Sequence, residues 1–174
     1  MVTIFVNKAL GQVIAAHVGD SRAYLLHEGT LIRVTRDHSY VEELVDAGEI
    51  TADEARVHPN RSVITRALGS DPAMYADHFT LHIEEGDRLI LCSDGLSSMI
   101  PDSDIENIAT QSSSAQICVD NLVDAALAAG GHDNVTVIVS NVTGFAEKRR
   151  RTLARKTKFS VALVLVLFLA ILGG

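Results

Sequence analysis

The feature that most constrains this chain is a set of three short turns that combine glycine with aspartate beside strand-like apolar runs. The turns are Gly19-Asp20, Asp94-Gly95 and Gly131-His132-Asp133. An aspartate at the end of a strand projects its carboxylate from a rigid edge, and a neighbouring glycine lets other groups approach the backbone closely. Carboxylates that meet in space in this way form a hard-oxygen site for Mg²⁺ or Mn²⁺. Each turn taken singly is also typical of an ordinary surface turn, so the metal site requires all three to meet.

The pattern of apolar residues predicts strands early in the chain and helices that cover them later. The pair Glu28-Gly29 is typical of a two-residue hairpin loop, which suggests an antiparallel meander in the first third of the chain. Thr51 and Glu54 form a capping box that opens a short helix. This order of elements indicates an α+β fold. Strands are predicted over residues 2–6, 12–18, 23–27, 30–34, 79–83, 88–92 and 135–142, and further helices over 40–47, 104–110 and 115–129.

Charge divides the chain into two unlike parts. Residues 148–174 contain seven basic and no acidic residues, whereas residues 1–147 contain the other 8 basic residues and all 22 acidic ones. The larger part is therefore strongly acidic. Nucleic-acid binding needs a basic surface, so a nucleic-acid partner is excluded from the expected functions.

The C-terminal residues have the pattern of a membrane anchor. Residues 144–158 form a basic linker, and residues 159–174 are 16 uncharged, almost wholly apolar residues. A membrane-spanning helix needs roughly 20 such residues, so we expect a transmembrane helix that the end of the sequence cuts short. The basic flank predicts a single-pass protein of the cell membrane with residues 1–158 on the cytoplasmic side.

Six segments, in order, resemble the metal-dependent Ser/Thr phosphatases, the protein phosphatase 2C-like (PPM) family. The similarity is strongest to the bacterial branch that partners membrane-anchored Ser/Thr kinases. The resemblance implies an α/β/β/α four-layer sandwich with a metal centre between two antiparallel sheets. The matching segments are residues 18–24, 35–39, 57–59, 64–69, 86–96 and 130–136.

The resemblance also implies roles for individual residues. Asp94 and Asp133 match carboxylates that hold one ion of a dinuclear Mn²⁺ or Mg²⁺ pair, and Asp20 with Asp94 matches the ligands of a third ion found in bacterial members. The neighbours that would orient these carboxylates are Ser21, Gly95 and Asn134. In such a site two metal ions activate a water for in-line attack on phosphorus.

Residues 37–69 match the flap over the active-site cleft, a region implicated in substrate choice. Arg22 and Arg66 have side chains suited to binding phosphate. Structural salt bridges are the stronger interpretation for both arginines. His38 and His58 are expected to be structural.

Two segments of the family's pattern have no match in this sequence. They are an Arg-x-x-Asn segment, which supplies a phosphate-binding arginine, and an Asp-Gly-Met/His-Gly-Gly turn, which supplies the aspartate that bridges both metals. Residues 1–143 are therefore expected to be the C-terminal portion of a phosphatase domain. No catalytic residue beyond the metal ligands is expected, and the chain alone is expected to be inactive or severely impaired.

The expected function is hydrolysis of phosphoserine and phosphothreonine on proteins, with membrane Ser/Thr kinases as substrates. The main alternative is a non-catalytic relative that serves as a binding or scaffold module. A sporulation-type phosphatase lacks a flap, and a generic acidic cation-binding domain predicts no ordered series of motifs. The match at residues 37–69 therefore argues against both of these further alternatives.

Overall fold

The computed structural model describes residues 1–7 and 10–143, which fold into strands and helices as the α+β prediction requires. The predicted elements occur within a few residues of their expected bounds. The strands are β1 (Val2–Asn7), β2 (Gln12–His17), β3 (Arg22–His27), β4 (Thr30–Arg33), β5 (Asp77–His82), β6 (Arg88–Cys92) and β7 (Val137–Asn141). The helices are α1 (Tyr40–Asp46), α2 (Ala52–Val57), α3 (Asp94–Ser97), α4 (Asp102–Gln111) and α5 (Ala115–Ala128).

The strands form two antiparallel sheets. The first sheet has the order β1-β2-β5, and the second has the order β4-β3-β6-β7. The predicted single meander is therefore wrong, because β2 and β3 are consecutive in the chain but belong to different sheets. The turn Gly19–Ser21 carries the chain from one sheet to the other, with Gly19 in a left-handed conformation at φ 103°. Asp20 therefore lies in the connection between the end of β2 and the start of β3.

Two apolar clusters hold the layers together. The two sheets pack face to face through a cluster that includes Val13, Leu25 and Leu89, of which Val13 is wholly buried. The opposite face of the second sheet packs against the helices. There Tyr24 and Ile90 contact a cluster that contains residues of α3, α4 and α5. Alternate side chains of β3 thus face opposite layers, as the period of a strand requires.

The described residues supply three of the four layers that the family resemblance implies. On the outer face of the first sheet, Phe5 and Ile14 are paired across β1 and β2 and remain 64% and 43% exposed. No helix among the described residues covers this face. No helix in the described part of the chain is long and apolar enough to cross a membrane. The expected linker and membrane helix, residues 144–174, lie outside the described residues.

The flap is built from α1 and α2 and closes on itself at its base. Ser39 caps α1 by accepting a hydrogen bond from the Glu42 amide, and an isolated bridge joins Ser39 to Ile64. The predicted capping box at Thr51 and Glu54 is present, with both reciprocal hydrogen bonds formed. Capping satisfies amide groups at a helix start that the helix itself leaves unpaired.

Candidate metal centre

The first candidate ligand, Asp20, lies in the turn that links the two sheets. Gly19, directly before it, is buried and hydrogen-bonds with its amide to His38 Nδ1 at 3.1 Å. Its carbonyl oxygen accepts a hydrogen bond from the His38 amide at 2.8 Å. Asp20 and Ser21 are both half-buried, and the backbone of Ser21 lies beside the buried ring of His17. The turn is therefore held at Gly19 by both the ring and the backbone amide of His38.

The second candidate ligand, Asp94, is the first residue of the short helix α3. The preceding residue, Ser93, joins this helix start to the loop before β7. Its hydroxyl donates to the Asn134 carbonyl oxygen and accepts from the Thr136 amide, both at 3.0 Å. The Ser93 amide donates in turn to the Thr136 carbonyl oxygen at 3.0 Å. These contacts hold the loop of the third candidate ligand, Asp133, against the start of α3.

Gly95 allows that close approach. A Cβ atom built on Gly95 would lie 2.5 Å from the Asn134 carbonyl oxygen and 2.9 Å from its carbon. A side chain at this position would therefore push the loop of Asp133 away from Asp94. The amide of Asn134 donates to Asp133 Oδ1 at 2.6 Å, which fixes the direction of that carboxylate. Asn134 contributes to the site through its backbone in these contacts.

Electrostatics shows that the three carboxylates share one region. Burial raises the pKa of Asp94, and the negative charges of Asp20 and Asp133 raise it further. A bound cation would offset the repulsion between neighbouring carboxylates, which is what raises the pKa. Carboxylate oxygens are also the ligands that Mg²⁺ and Mn²⁺ prefer. The chemistry of this donor set therefore fits a divalent hard cation.

The three carboxylates do not close into a ready-made cluster. Among residues 1–7 and 10–143, no group of three or more ligating side chains has a geometry that could hold a metal ion. Magnesium sites commonly use one or two protein carboxylates and complete their coordination with water and substrate oxygens. The arrangement thus fits a partial ligand set contributed by Asp20, Asp94 and Asp133.

Arg22 is engaged in a partly buried ion-pair network around Asp37. Its guanidinium donates to both carboxylate oxygens of Asp37, with Nη2 2.8 Å from Oδ2. Arg33 Nη2 lies 2.7 Å from the other Asp37 oxygen, Oδ1. Tyr24 and Asp102 complete the network, with the Tyr24 hydroxyl donating to Asp102 Oδ1 at 2.9 Å. The interpretation of Arg22 as a structural residue is confirmed.

Arg66 is also engaged within the protein. Its Nη1 donates to Asp77 Oδ1 at 2.7 Å, and its guanidinium carbon lies 4.3 Å from the centre of the Tyr75 ring. His58, in the same flap, accepts a hydrogen bond from the Asn60 amide with its Nδ1 at 3.1 Å. The structural interpretation of Arg66 is confirmed by its ion pair with Asp77, whereas the structural role of His58 stays a prediction.

Two contributors to the site were missed by the analysis of the sequence. Ser93 stands inside the motif around Asp94, and its position directly before the ligand was the available signal. Asp77, which pairs with Arg66 and His38, belongs to no motif, and nothing in the sequence links it to His38, which lies 39 residues before it.

Comparison with known proteins places this geometry in a family. A family model described as Protein phosphatase 2C matches residues 1–135. The chain belongs to the protein phosphatase 2C family. The serine/threonine phosphatase stp of Listeria welshimeri is 41% identical to it over 131 residues, which cover 75% of this chain and 52% of the Listeria protein. The serine/threonine protein phosphatase PstP of Mycobacterium tuberculosis is 43% identical over 145 residues, or 82% of this chain and 27% of PstP.

Solved structures agree with the fold. The catalytic domain of a PstP protein in complex with two manganese ions superposes with a TM-score of 0.71 at 34% identity, over 81% of this chain and 57% of that domain. The PP2C-type α+β fold is thus shown for the described residues. The chain spans about half the length of the Listeria relative it matches.

Proposed function

We propose that residues 1–143 form the C-terminal, metal-binding portion of a PP2C phosphatase domain that hydrolyses phosphoserine and phosphothreonine on proteins. The observation that carries this proposal is that Asp20 and Asp133 lie near enough to Asp94 for their negative charges to raise the pKa of the Asp94 carboxyl. The family membership supports the reaction class, and the manganese ions of the related PstP structure support Mn²⁺ or Mg²⁺ as the cofactor.

The chain's own residues bind and orient in this mechanism. Bound metal ions would supply an activated water and stabilisation of the charge on the phosphoryl oxygens. Asp20, Asp94 and Asp133 would hold the cations. The Ser93 hydroxyl and the lack of a side chain at Gly95 keep the loop of Asp133 close to Asp94.

A cysteine mechanism does not fit the described residues. Burial raises the pKa of Cys92 to about 12, so this thiol is not the thiolate that nucleophilic attack requires. Cys118 is wholly buried within the core around α5. Both cysteines therefore belong to the packing of the domain.

We further propose that the intact protein acts at the membrane. The basic residues 144–158 and the apolar residues 159–174 support a single-pass anchor with the phosphatase domain in the cytoplasm. Phosphoproteins there, including membrane Ser/Thr kinases, are the proposed substrates. The chain by itself is proposed to be impaired, because its motifs include neither the bridging aspartate nor the phosphate-binding arginine of the family.

The test uses a chimera in which the N-terminal half of the Listeria phosphatase is fused to the N-terminus of this chain. Hydrolysis of a phosphothreonine peptide by the chimera is measured. We expect Mn²⁺-dependent turnover that chelation abolishes and that Asp94→Asn reduces by at least about 100-fold. Asp104→Asn, in the exposed first turn of α4, is the matched control and should leave turnover unchanged. A chimera that folds and yet stays inactive with Mn²⁺ would refute the enzyme and favour the scaffold module.

A further inference from the structure

One buried side chain, His38, joins the turn of Asp20 to the base of the flap. Its backbone amide donates to the Gly19 carbonyl oxygen at 2.8 Å, and its ring nitrogen Nδ1 accepts from the Gly19 amide at 3.1 Å. His38 is only 6% exposed, so water does not readily replace either contact. Both hydrogen-bonding groups of the Gly19 backbone are thus satisfied by a single residue.

The other ring nitrogen of His38 is held from the first sheet. Nε2 lies 3.0 Å from Asp77 Oδ2 and also 3.0 Å from Arg66 Nη1, which donates to the second oxygen of the same carboxylate at 2.7 Å. Because Nδ1 accepts a hydrogen bond, the neutral ring carries its proton on Nε2 and donates it to Asp77. The carboxylate therefore fixes both the tautomer and the orientation of the ring.

The backbone of His38 also closes the flap. Its carbonyl oxygen accepts a hydrogen bond from the Thr65 amide at 2.9 Å, and the next residue but one, Tyr40, donates its amide to the Val63 carbonyl oxygen at 2.9 Å. The outgoing and returning arms of the flap thus meet at His38. A displacement of either arm is transmitted to Gly19 through two short contacts.

We propose that His38 is a positioning residue that sets the direction of the Asp20 carboxylate according to the position of the flap. This proposal rests on the proposed function, since Asp20 is there a metal ligand. Gly19 at φ 103° has little intrinsic preference for one backbone conformation, so its two hydrogen bonds to His38 decide how the following residue points. Flap position and metal affinity are coupled through this clamp, which consists of Gly19, His38 and Asp77.

The test compares two variants that each retain one half of the imidazole. Asn places a side-chain oxygen near the position of Nδ1, whereas Gln reaches the position of Nε2 and offers no acceptor to Gly19. In the full chain, His38→Asn should keep Mn²⁺ affinity within about twofold, and His38→Gln should weaken it about 10–100-fold. Amide hydrogen exchange over residues 18–22 should remain slow in the first variant and become faster in the second.

Asp77→Asn is the control, because the side-chain oxygen of Asn can still accept a hydrogen bond from Nε2 and so keep the ring oriented towards Gly19. It should resemble His38→Asn in exchange over residues 18–22. Equal Mn²⁺ affinities for His38→Gln and the unaltered chain, or equal exchange at residues 18–22, would overturn the clamp. Failure of the unaltered chain to bind Mn²⁺ would instead overturn the proposed function, so the two failures are distinguishable.

Discussion

The replacement Gly95→Ala tests how closely the loop of Asp133 must approach Asp94. In an ordinary helix this change stabilises by roughly 0.5–1 kcal/mol, because glycine loses more backbone entropy on folding. Here the added Cβ would lie 2.5 Å from the Asn134 carbonyl oxygen, a distance that real Cβ atoms do not show. The loop must therefore retreat by about 0.5 Å or more, and overpacking of this kind costs typically 1–3 kcal/mol.

The expected net result is a loss of about 1–2 kcal/mol in the free energy of unfolding, together with weaker Mn²⁺ binding. Urea unfolding followed by circular dichroism gives the first quantity, and titration calorimetry gives the second. Asn107→Ala, at an exposed position of α4, is the control for the effect of alanine in a helix and should be neutral or slightly stabilising. If Gly95→Ala is as stable as the unaltered chain, the close approach is not a constraint and the reasoning fails.

Three further predictions concern the fold and the flap. Asp37→Ala removes the acid that Arg22 and Arg33 share, leaves them only Asp102 and Glu42 as acidic partners among the described residues, and should cost about 2–3 kcal/mol in urea unfolding. A loss below about 1 kcal/mol would show that the network contributes little. Thr51→Ala removes the cap of α2 and should cost about 1 kcal/mol, with faster proteolysis inside the flap, whereas unchanged cleavage would contradict this. Burial, with the charges of neighbouring groups, lowers the pKa of His17 to about 4. The stability that the neutral ring contributes is therefore complete above about pH 6.5 and is lost as the pH falls towards 4, by about 2–3 kcal/mol in urea unfolding. The same loss of stability in His17→Gln would contradict the assignment to His17.

The sequence was sufficient to predict most elements, because their signals are local. Alternation of apolar residues marks β5, and the reciprocal cap at Thr51 marks the start of α2. The hairpin at Glu28 and Gly29 also formed as expected, with both residues at positive φ. Each of these features depends on residues within a few positions of one another.

The features that could not be predicted depend on contacts between distant residues. Sheet membership was wrong for β2 and β3, because the apolar pattern of a strand does not specify its partner. The helix α3 spans only Asp94–Ser97, which is too short to show helical periodicity. Arg22 and Arg66 form ion pairs with Asp37 and Asp77, respectively, and the tertiary fold brings each arginine next to its partner.

The outer face of the first sheet bears on the proposal that residues 1–143 are part of a larger domain. Phe5 and Ile14 are exposed there, and a folded domain gains about 25 cal/mol for each Å² of such apolar surface that it buries. A chimera completed with the N-terminal half of a relative should therefore be more stable than this chain alone. A thermal midpoint no higher in the chimera would contradict that expectation.

Mn²⁺ titration calorimetry on the full chain tests the central claim most directly, because it asks whether Asp20, Asp94 and Asp133 bind a cation together. The account predicts that the unaltered chain binds Mn²⁺, that Asp94→Asn and Asp133→Asn each weaken binding at least about tenfold, and that Asp104→Asn does not. Binding that is absent, or that is equal in Asp94→Asn and the unaltered chain, would contradict the account.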